Sequence, residues 1–430
     1  FLMNYQNVKL HLGLSYVDID FTKGQTNILI APNIETIGDG SKEYSCQFQK
    51  LQILVTKRLK HITNYCFNKT GINKVIGNKI ETIGDQAFDD AFFMEHINLK
   101  NVKIIGLRAF SQTILKEIKN NNIKELTNKQ FEYNGGIENI KMKNLTRFSS
   151  QTFYSTPIGI FDAPNVVQIV NQDEDVSEQV MTNYNNFQTQ ENIVYIPQLL
   201  EEPDYHKLIE RLPAESFIGE SVSNENRDLF LIDNCLFFPP NIKIIKESTY
   251  DSYKQVFFFM YGEQVEIIEN MAIEFCYHVR KVQFPALLEL GNHCFYANTL
   301  LNTFYAPKCS SIGVQAFDFT QNLRLFVACP KVLQKQVFET CGLKYLNLPS
   351  VERIEDEVFQ FSKMQAVKLE NCKEFAEHSL VNNYYGDLDK KLVQSGYRNP
   401  EELLLQLHLI SSMSNQNKNL KEQMKILIKV

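Results

Sequence analysis

Apolar residues recur along most of the chain at a spacing of 21 to 25 residues. The clearest unit runs from residue 343 to residue 359. It has an apolar pair at Leu346 and Leu348, a proline, a second apolar pair at Val351 and Ile354, and then Phe359. One such unit cannot bury its apolar side chains alone, whereas stacked units can. The pattern therefore predicts successive coils whose strands pair in parallel about 4.8 Å apart.

Two columns of the repeat are predicted to fill the interior. In the Leu-x-Leu strand the outer two residues share one face, and the middle residue lies on the other. The aromatic column explains the high phenylalanine count of 31 and contains Phe67, Phe88, Phe110, Phe131, Phe153, Phe217, Tyr250, Phe295, Phe317, Phe338 and Phe359. The segment Ile-Gly-x-x-Ala-Phe before the ring is predicted to turn and then form about one helical turn. Its glycine suits a left-handed corner.

The periodicity divides the chain into five segments. Residues 1–25 alternate apolar and polar positions and are predicted to form a strand cap over the open end of the stack. Repeats cover residues 26–170 and 236–385. Residues 171–235 keep only fragments of the pattern and are interpreted as an insertion with degenerate repeats. Residues 386–430 are predicted to be α-helical from Asn399-Pro400 onward and to act as a cap, with docking or dimerisation as the alternative.

A period of 20 to 29 residues with this pattern is the signature of leucine-rich repeats. The core Leu-Pro-x-Val-x-x-Ile-Gly-x-x-Ala-Phe resembles the BspA-like class, which occurs in some bacteria and is expanded in certain protists. The resemblance covers residues 26–385. It implies a leucine-rich repeat solenoid, a β-rich right-handed curved coil of parallel sheets without catalytic activity, used for adhesion or protein binding.

Charge and cysteine content narrow the class of partner. The net charge of −6 gives no support for nucleic acid or an anionic membrane. No run of about 18 apolar residues exists, so we predict no membrane span. The nine cysteines form no CxxC pair, and several fall in columns expected to be buried. Free buried thiols fit a reducing compartment, which favours a cytoplasmic or cytoskeletal location, with the cell surface as the alternative.

The sequence holds no recognisable chemical motif. Its eight histidines lack metal-ligand spacing, and no HExxH, P-loop or GxSxG element is present. The repeated glycines are predicted to be turn residues. We therefore predict no catalytic residues, no cofactor, no metal and no enzymatic activity. A remote alternative is an enzyme whose site lies in the insertion at residues 171–235.

The residue between the two inward positions of each strand should face outward, where polar residues are the rule. In the second half of the chain four of the seven such positions are aromatic instead, and the other three are Gln283, Asn347 and Lys368. Aromatic side chains are favoured anchors of protein interfaces. The predicted partner-binding residues are Phe237, Tyr261, Tyr305, Phe326 and the adjacent Tyr345. The alternative is that these rings contact a loop, the inserted residues 171–192 or the C-terminal helices of the same chain. The aliphatic residues Ile30, Val55 and Ile76 in the first half are assigned to contact with the cap.

These observations predict a non-enzymatic scaffold that holds a protein partner on its curved sheet, within a cytoskeletal or other large assembly. The alternative is a cell-surface adhesin that binds a host or matrix component. Residues 386–430 provide a route to oligomerisation in either case.

Overall fold

The computed structural model describes residues 8–14, 27–41, 48–126, 129–154, 156–170, 179–180, 193–195, 204–253, 255–364 and 366–380. These residues form coil after coil, and most coils contribute one longer strand and one two-residue strand. The predicted leucine-rich repeat solenoid is therefore confirmed. The C-terminal helices predicted for residues 386–430 lie outside the described residues, as do residues 1–7 and 15–25 of the predicted cap.

The coils form two arms: the N-arm, residues 27–170, and the C-arm, residues 221–380. In each arm the longer strands form one wall, the long-strand wall, and the two-residue strands form the other, the short-strand wall.

Strands are numbered in chain order. The long-strand wall of the N-arm and its continuations contain β1 (Val8–Leu10), β2 (Ile28–Ile30), β4 (Ile53–Val55), β6 (Lys74–Ile76), β8 (His96–Ile97), β10 (Glu117–Lys119), β12 (Ile137–Lys141), β14 (Thr156–Asp162) and β17 (Ile193–Tyr195). Its short-strand wall contains β3 (Thr36–Ile37), β5 (His61–Ile62), β7 (Thr82–Ile83), β9 (Ile104–Ile105), β11 (Glu125–Leu126), β13 (Arg147–Ser149), β15 (Gln168–Val170) and β16 (Gln179–Val180).

The C-arm repeats this arrangement. Its long-strand wall contains β19 (Leu231–Ile232), β20 (Cys235–Phe238), β22 (Phe259–Gly262), β24 (Lys281–Gln283), β26 (Thr303–Tyr305), β28 (Leu325–Val327), β30 (Tyr345–Asn347) and β32 (Ala366–Lys368). Its short-strand wall contains β18 (Ser221–Val222), β21 (Ile244–Ile245), β23 (Ile267–Ile268), β25 (Glu289–Leu290), β27 (Ser311–Ile312), β29 (Val332–Leu333), β31 (Arg353–Ile354) and β33 (Glu374–Phe375).

Helical segments in the described residues are few and short. They are the α-helix α1 (Tyr205–Leu208) and 3-10 turns at Ser150–Phe153, Ile209–Arg211, Ala214–Phe217 and Arg227–Phe230.

Strand pairing follows the repeat register. Leu29 pairs with Leu54, and Leu54 pairs with Val75, so equivalent positions of successive coils stand side by side. The pairs β15–β16 and β19–β20 are antiparallel, and the other strand pairs in the described part of the chain are parallel. Stacking in register keeps every apolar column on the inner side of its wall.

The aromatic column forms a ladder of stacked rings inside each arm. In the N-arm the ring centroids of Phe88 and Phe110 are 5.1 Å apart, and those of Phe110 and Phe131 are 5.5 Å apart, with planes nearly parallel. In the C-arm Phe317 and Phe338 stack at 5.9 Å. These distances are close to the rise from one coil to the next. Each ring therefore fills the space left by its neighbour.

One member of the predicted aromatic column is wrong. Phe217 is 45% exposed. Phe230 is buried and packs on Phe238 at 5.6 Å instead, and Phe48 begins the N-arm ladder against Phe67 at 5.1 Å. The displacement falls in the degenerate region, where the spacing of the repeat no longer fixes the ring.

In the coils of Phe88 and Phe110 the turn before the ring is not a helix, and its glycine is not the left-handed residue. Gly84 and Gly106 are absent from the positive-φ positions, whereas Gln86 and Arg108, two residues further along, have φ near +51° and +52°. The glycine is needed because coils approach closely. A Cβ on Gly106 would lie 2.5 Å from the backbone nitrogen of Asp85 in the preceding coil.

The two arms have separate hydrophobic cores. The N-arm core extends from Leu29 to Ile169, and the C-arm core from Val222 to Leu380. The hydrophobic interior is therefore divided between the two arms and is not continuous along the chain. The break coincides with the residues where the period slips.

The arms contact each other along one edge, here called the seam. At one end the rings of Phe92 and Phe319 meet edge to face with centroids 5.4 Å apart. Beside them the Lys363 ammonium group lies 4.4 Å from the centre of the Phe93 ring. This contact crosses from the C-arm to the N-arm and combines an aromatic face with a cation.

Polar bonds and a close glycine contact continue the seam. Lys116 Nζ donates to Asn322 Oδ1 at 3.0 Å, and Asn322 Nδ2 donates to the Gly135 carbonyl oxygen at 3.3 Å. A Cβ on Gly136 would lie 2.3 Å from Leu300 Cδ2. Residues later in the N-arm sequence therefore contact residues earlier in the C-arm sequence. The two arms run in opposite directions.

We expect Phe110→Ala to lower the free energy of unfolding by about 3–5 kcal/mol, because the ring is fully buried between two others. Equilibrium unfolding in urea measures this loss. Phe217→Ala removes the same atoms from an exposed site and should cost no more than about 0.5 kcal/mol. Equal losses in the two variants would contradict the ring ladder.

Gly136→Ala should lower the free energy of unfolding by about 1–3 kcal/mol more than Gly40→Ala does. The added methyl group would overpack against Leu300, and overpacking typically costs this much. Both glycines have positive φ, but a Cβ on Gly40 would meet nothing within 4 Å. The same unfolding assay separates the clash from backbone strain. Adding Leu300→Ala to Gly136→Ala should recover part of the loss, and the absence of any coupling would contradict the seam contact.

Candidate functional site

The outward row of the C-arm long-strand wall is defined by strand register. Phe237 pairs with Tyr261, Tyr261 with Gln283, Gln283 with Tyr305, and Tyr305 with Val327. Parallel register places all five side chains on one face. Three of the five predicted partner-binding residues are thus brought into one row.

Phe326 does not belong to this row. It pairs with the inward-facing Phe304, is 8% exposed, and packs on Phe317 and Phe338 at 5.1 and 4.9 Å. The prediction that it faces outward is wrong because the sequence offers two adjacent apolar residues, Leu325 and Phe326. A shift of one residue exchanges the two faces of a strand.

Phe237 and Tyr261 are covered by another part of the same chain. The Tyr205 ring stacks on Tyr261 at 4.5 Å, and Tyr261 stacks on Phe237 at 5.6 Å. Leu208 and Leu212 complete the hydrophobic cluster over these rings. These rings therefore contact another segment of the same chain, as in the alternative, but the segment lies beyond the residues 171–192 that the alternative named. Phe237 is only 4% exposed.

The covering segment has a signal that sequence analysis missed. Tyr205, Leu208, Ile209 and Leu212 follow the i, i+3, i+4, i+7 spacing of an amphipathic helix. Its far end is tied down by Arg211, whose guanidinium donates two hydrogen bonds to the carboxylate of Asp233. The longer of the two measures 3.0 Å. These bonds lower the pKa of Asp233.

Beyond the covered rings the wall is open to solvent. Tyr305 is 39% exposed at the centre of this area, and its neighbours are partly exposed. We call Gln283, Thr303, Tyr305, Leu325 and Val327 the open face. Tyr345 starts strand β30, which pairs with β32 rather than β28, so it lies in the adjoining sheet.

The N-arm carries a second apolar outward row. Leu10 pairs with Ile30, Ile30 with Val55, and Val55 with Ile76. Val55 is 6% exposed, whereas Leu10 at the edge is 60% exposed. Strand β1 thus adds to this wall at the end where the cap was expected.

The described residues show no reactive constellation. Seven of the eight cysteines within them are buried, and burial raises the pKa of thiols such as Cys66, which keeps them protonated. Burial lowers the pKa of His278 to about 4, so this imidazole is neutral. No cluster of three or more metal-ligating side chains occurs in the described residues. No helix of the described residues combines the length and apolar character required to cross a bilayer.

A shallow groove of about 580 Å³ lies at the short-strand side of the last coils, lined by Ser310, Cys329, Lys331, Ser350, Glu352, Asn371 and Lys373. The Ser350 hydroxyl donates to the Pro330 carbonyl oxygen at 2.9 Å. Asn371 Nδ2 donates to the Pro349 carbonyl oxygen at 2.7 Å. Two of its polar side chains are therefore used in holding adjacent coils together.

The residue after the aromatic ring of a coil is often acidic. The two arms differ in whether a cationic side chain lies beside this carboxyl group. In the N-arm Arg108 lies 3.4 Å from Asp89 and 3.3 Å from Glu132. In the C-arm the residues equivalent to Arg108 are uncharged at Gln315 and Gln336.

These C-arm carboxyls are consequently hard to ionise. Burial, followed by the charge of Glu357, raises the pKa of Glu339 to about 7. Burial and Asp251 also raise to about 7 the pKa of Glu274, which follows the buried Ile273 in place of a ring. Burial and Glu339 raise the pKa of Asp318 well above its usual value.

The repeats of this chain match a known family. The family model for the BspA type leucine rich repeat region matches residues 21–134, 60–174, 234–344 and 289–386 in overlapping segments. These matches cover more than half of the chain, so the chain belongs to the BspA-type leucine-rich repeat family. It is a repeat protein of the kind that serves as a protein-interaction or surface-protein scaffold.

Solved structures resemble the chain only distantly. A leucine rich cell surface protein from Faecalibacterium prausnitzii is 14% identical, with a TM-score of 0.30 over 87% of this chain and 92% of that one. The pneumococcal vaccine antigen PcpA is 13% identical, with a TM-score of 0.26 over 82% and 74%. A leucine-rich repeat protein from Bacteroides ovatus is 12% identical, with a TM-score of 0.27 over 83% and 85%. No curated protein sequence gives a significant match.

The raised carboxyl pKa values predict an unusual pH dependence. Because the pKa of Glu339 rises from 4.5 to about 7 on folding, its contribution to stability is complete below pH 4.5 and is lost as pH rises through 7. Solvent screening limits the effect of this partly exposed group, so we expect Glu339→Gln to be about 1 kcal/mol more stable than the unmodified chain above pH 7. The two should be equal near pH 4.

Thermal unfolding across this pH range provides the measurement. The control variant is Glu377→Gln at an exposed position, and it should leave the unfolding temperature unchanged at every pH. A Glu339→Gln variant that is less stable than the unmodified chain above pH 7 would show that the carboxylate is stabilising instead.

Proposed function

We propose that this chain is a non-enzymatic scaffold that holds a protein partner on the open face of the C-arm. The observation that carries the proposal is Tyr305, an exposed ring at the centre of an apolar strand face. Exposed apolar surface of this kind marks contact sites, and tyrosine is a favoured anchor in them.

The neighbouring covered area indicates what kind of segment fits. There α1 and the turn after it lay apolar side chains onto the outward row, with Tyr205 stacked on Tyr261 at 4.5 Å. The open face continues the same row through Gln283. A partner with a short amphipathic helix carrying an aromatic or leucine side chain therefore suits the open face. Gln283 and Thr303 offer hydrogen bonds at its edge.

We further propose that the scaffold works in the cytoplasm or in a cytoskeletal assembly. All eight cysteines within the described residues are free thiols. Free thiols suit a reducing compartment. Adhesion at the cell surface remains the competing location, and the experiment below separates the two.

The test compares partner capture by the unmodified chain and by Tyr305→Ala. Partners are isolated separately from a cytosolic extract and from a surface-labelled membrane fraction of the native source, and are identified by mass spectrometry. Loss of a central aromatic anchor costs 2 kcal/mol or more, so we expect roughly thirtyfold weaker binding of the purified partner in the variant.

Two further variants serve as controls. Ile104→Ala removes an exposed aliphatic side chain on the short-strand wall of the N-arm and should leave capture unchanged. Phe326→Ala should unfold more readily by about 3–5 kcal/mol, because this ring belongs to the core. Unchanged capture by a folded Tyr305→Ala variant would remove the open face from the proposal, and capture from the surface fraction alone would favour the adhesin.

A further inference from the structure

The residues that follow the buried ring position in successive C-arm coils form a row. We call Asp251, Glu274, Tyr296, Asp318 and Glu339 the acidic row. Backbone hydrogen bonds between coils set its register: the Phe275 N–H donates to the Tyr296 carbonyl oxygen at 3.0 Å. The Ala297 N–H likewise donates to the Asp318 carbonyl oxygen at 2.9 Å. Successive members therefore stand one coil apart, as do the stacked rings beside them, whose centroids are 5.5 to 6.0 Å apart.

The equivalent turns of the N-arm show what such carboxyls bind. Arg108 lies 3.4 Å from Asp89 in the preceding coil and 3.3 Å from Glu132 in the following coil. Its own coil has the neutral Ser111 in the row, and the guanidinium group donates to this hydroxyl at 3.3 Å. Two carboxyls with a neutral residue between them are thus bridged by one arginine, which stays partly exposed.

The C-arm repeats this pattern of carboxyls without the arginine. Glu274 and Asp318 flank the uncharged Tyr296, and His293 occupies the position of Arg108, with the same φ of +52°. The His293 ring packs on the Tyr296 ring instead, with centroids 5.6 Å apart. In the part of the chain that the structure describes, neither Glu274 nor Asp318 forms an ion pair.

The other groups around the row do not supply the missing charge. Among the described residues, Lys335 is the cation that acts on Glu339, and it is paired with Glu357 at 3.5 Å. The Asp318 carboxylate accepts hydrogen bonds from neutral donors, including the Phe319 N–H at 2.7 Å. Such donors leave the negative charge unbalanced, which is costly for a buried carboxylate.

An arginine-bearing segment has the chemistry and the spacing to complete the row. A guanidinium group pairs bidentately with a carboxylate and stacks on aromatic faces, and the Tyr296 ring is partly exposed between the two carboxyls. Alternate residues of an extended segment are about 6.6 Å apart, close to the spacing of the coils. Arginines at alternate positions would therefore meet successive members of the row. No group of three metal-ligating side chains occurs in the described residues, which disfavours a metal ion as the missing cation.

We propose that the acidic row binds an extended segment of a protein partner with arginines at alternate positions, one of them held between Glu274 and Asp318. Asp318 is only 1% exposed, but Asp89 and Glu132 of the N-arm are 5% and 1% exposed, and Arg108 contacts both. The acidic row is separate from the open face, and the proposal does not depend on the partner-binding function assigned there.

Binding is measured on the full chain by fluorescence anisotropy with a labelled peptide of sequence Arg-Gly-Arg-Gly-Arg. Two matched peptides carry lysine or the neutral arginine analogue citrulline in place of arginine. We expect the arginine peptide to bind, the lysine peptide to bind several-fold more weakly, and the citrulline peptide not to bind. Equal binding of the arginine and citrulline peptides would overturn the proposal, and equal binding of the lysine peptide would overturn the choice of arginine.

Glu274→Gln should weaken binding of the arginine peptide about tenfold, the effect of losing one charge-assisted hydrogen bond. Glu274 is partly exposed, so the variant is expected to fold. The control Glu289→Gln removes an exposed carboxylate from the short-strand wall and should leave the affinity unchanged. Tyr305→Ala should also leave it unchanged, which separates this site from the open face.

His293→Arg tests the parallel with the N-arm directly. The new guanidinium group would lie between Glu274 and Asp318, as Arg108 lies between its two carboxyls, and would compete with the peptide. We expect at least tenfold weaker peptide binding and a higher unfolding temperature above pH 7. His293→Gln, which adds no charge, should retain the affinity of the unmodified chain.

The pH dependence gives a further readout. Burial and Asp251 raise the pKa of Glu274 to about 7, so this carboxyl is largely neutral at pH 6 and ionised at pH 8. Peptide binding should therefore tighten as pH rises through 7, and less so in Glu274→Gln. His293 also faces the site, and the His293→Gln variant removes its contribution. Full peptide affinity in both Glu274→Gln and His293→Arg would overturn the proposal.

Discussion

The structure depends on contact between equivalent side chains of successive coils. Rings such as Phe88, Phe110 and Phe131 stack at 5.1 to 5.5 Å, and each coil supplies one side of the space that its neighbour fills. A coil of this kind has no independent core. Every inward position must therefore carry a side chain that packs against the equivalent side chains of the neighbouring coils. Variation without loss of stability is confined to the outward rows and the edges, which is where binding must occur.

A second constraint is the closure of the two arms along the seam. A single long solenoid would offer both of its edges to solvent, but here one edge of each arm is used internally. Gly136 permits the approach of Leu300, and Asn322 connects to both Lys116 and Gly135. The surface left for partners is thereby reduced to the outward walls, the remaining edge of each arm and the ends.

The sequence predicts the coils well because their determinant is periodic. Columns such as Leu29, Leu54 and Val75 appear at the same place in every unit, and parallel register follows from that. It assigns the face of β28 wrongly because Leu325 and Phe326 are both apolar, and only packing against Phe304 decides between them. A periodic signal has an uncertainty of one residue, and one residue is enough to exchange the two faces of a strand.

The seam could not be predicted in this way, because it joins residues more than about 160 positions apart that share no periodic pattern. Lys116 and Asn322 look like ordinary exposed residues of two turns. Gly135 and Gly136 look like turn glycines, although the tight fit against the other arm is what excludes a side chain. Non-local contacts between repeats leave no trace in a single sequence, so a regular solenoid pattern does not by itself imply a single extended body.

The division of the C-arm wall into covered and open parts bears on how a partner would bind. The internal cover ends at Tyr261, and the next position in the row is the polar Gln283 before Tyr305 begins the open face. A glutamine between two aromatic residues interrupts the stacking of rings along the wall. A segment on the open face therefore need not displace the stacked Tyr205 to reach Tyr305. Binding there carries no cost of opening the folded chain, and affinity then depends on the contacts of the open face themselves.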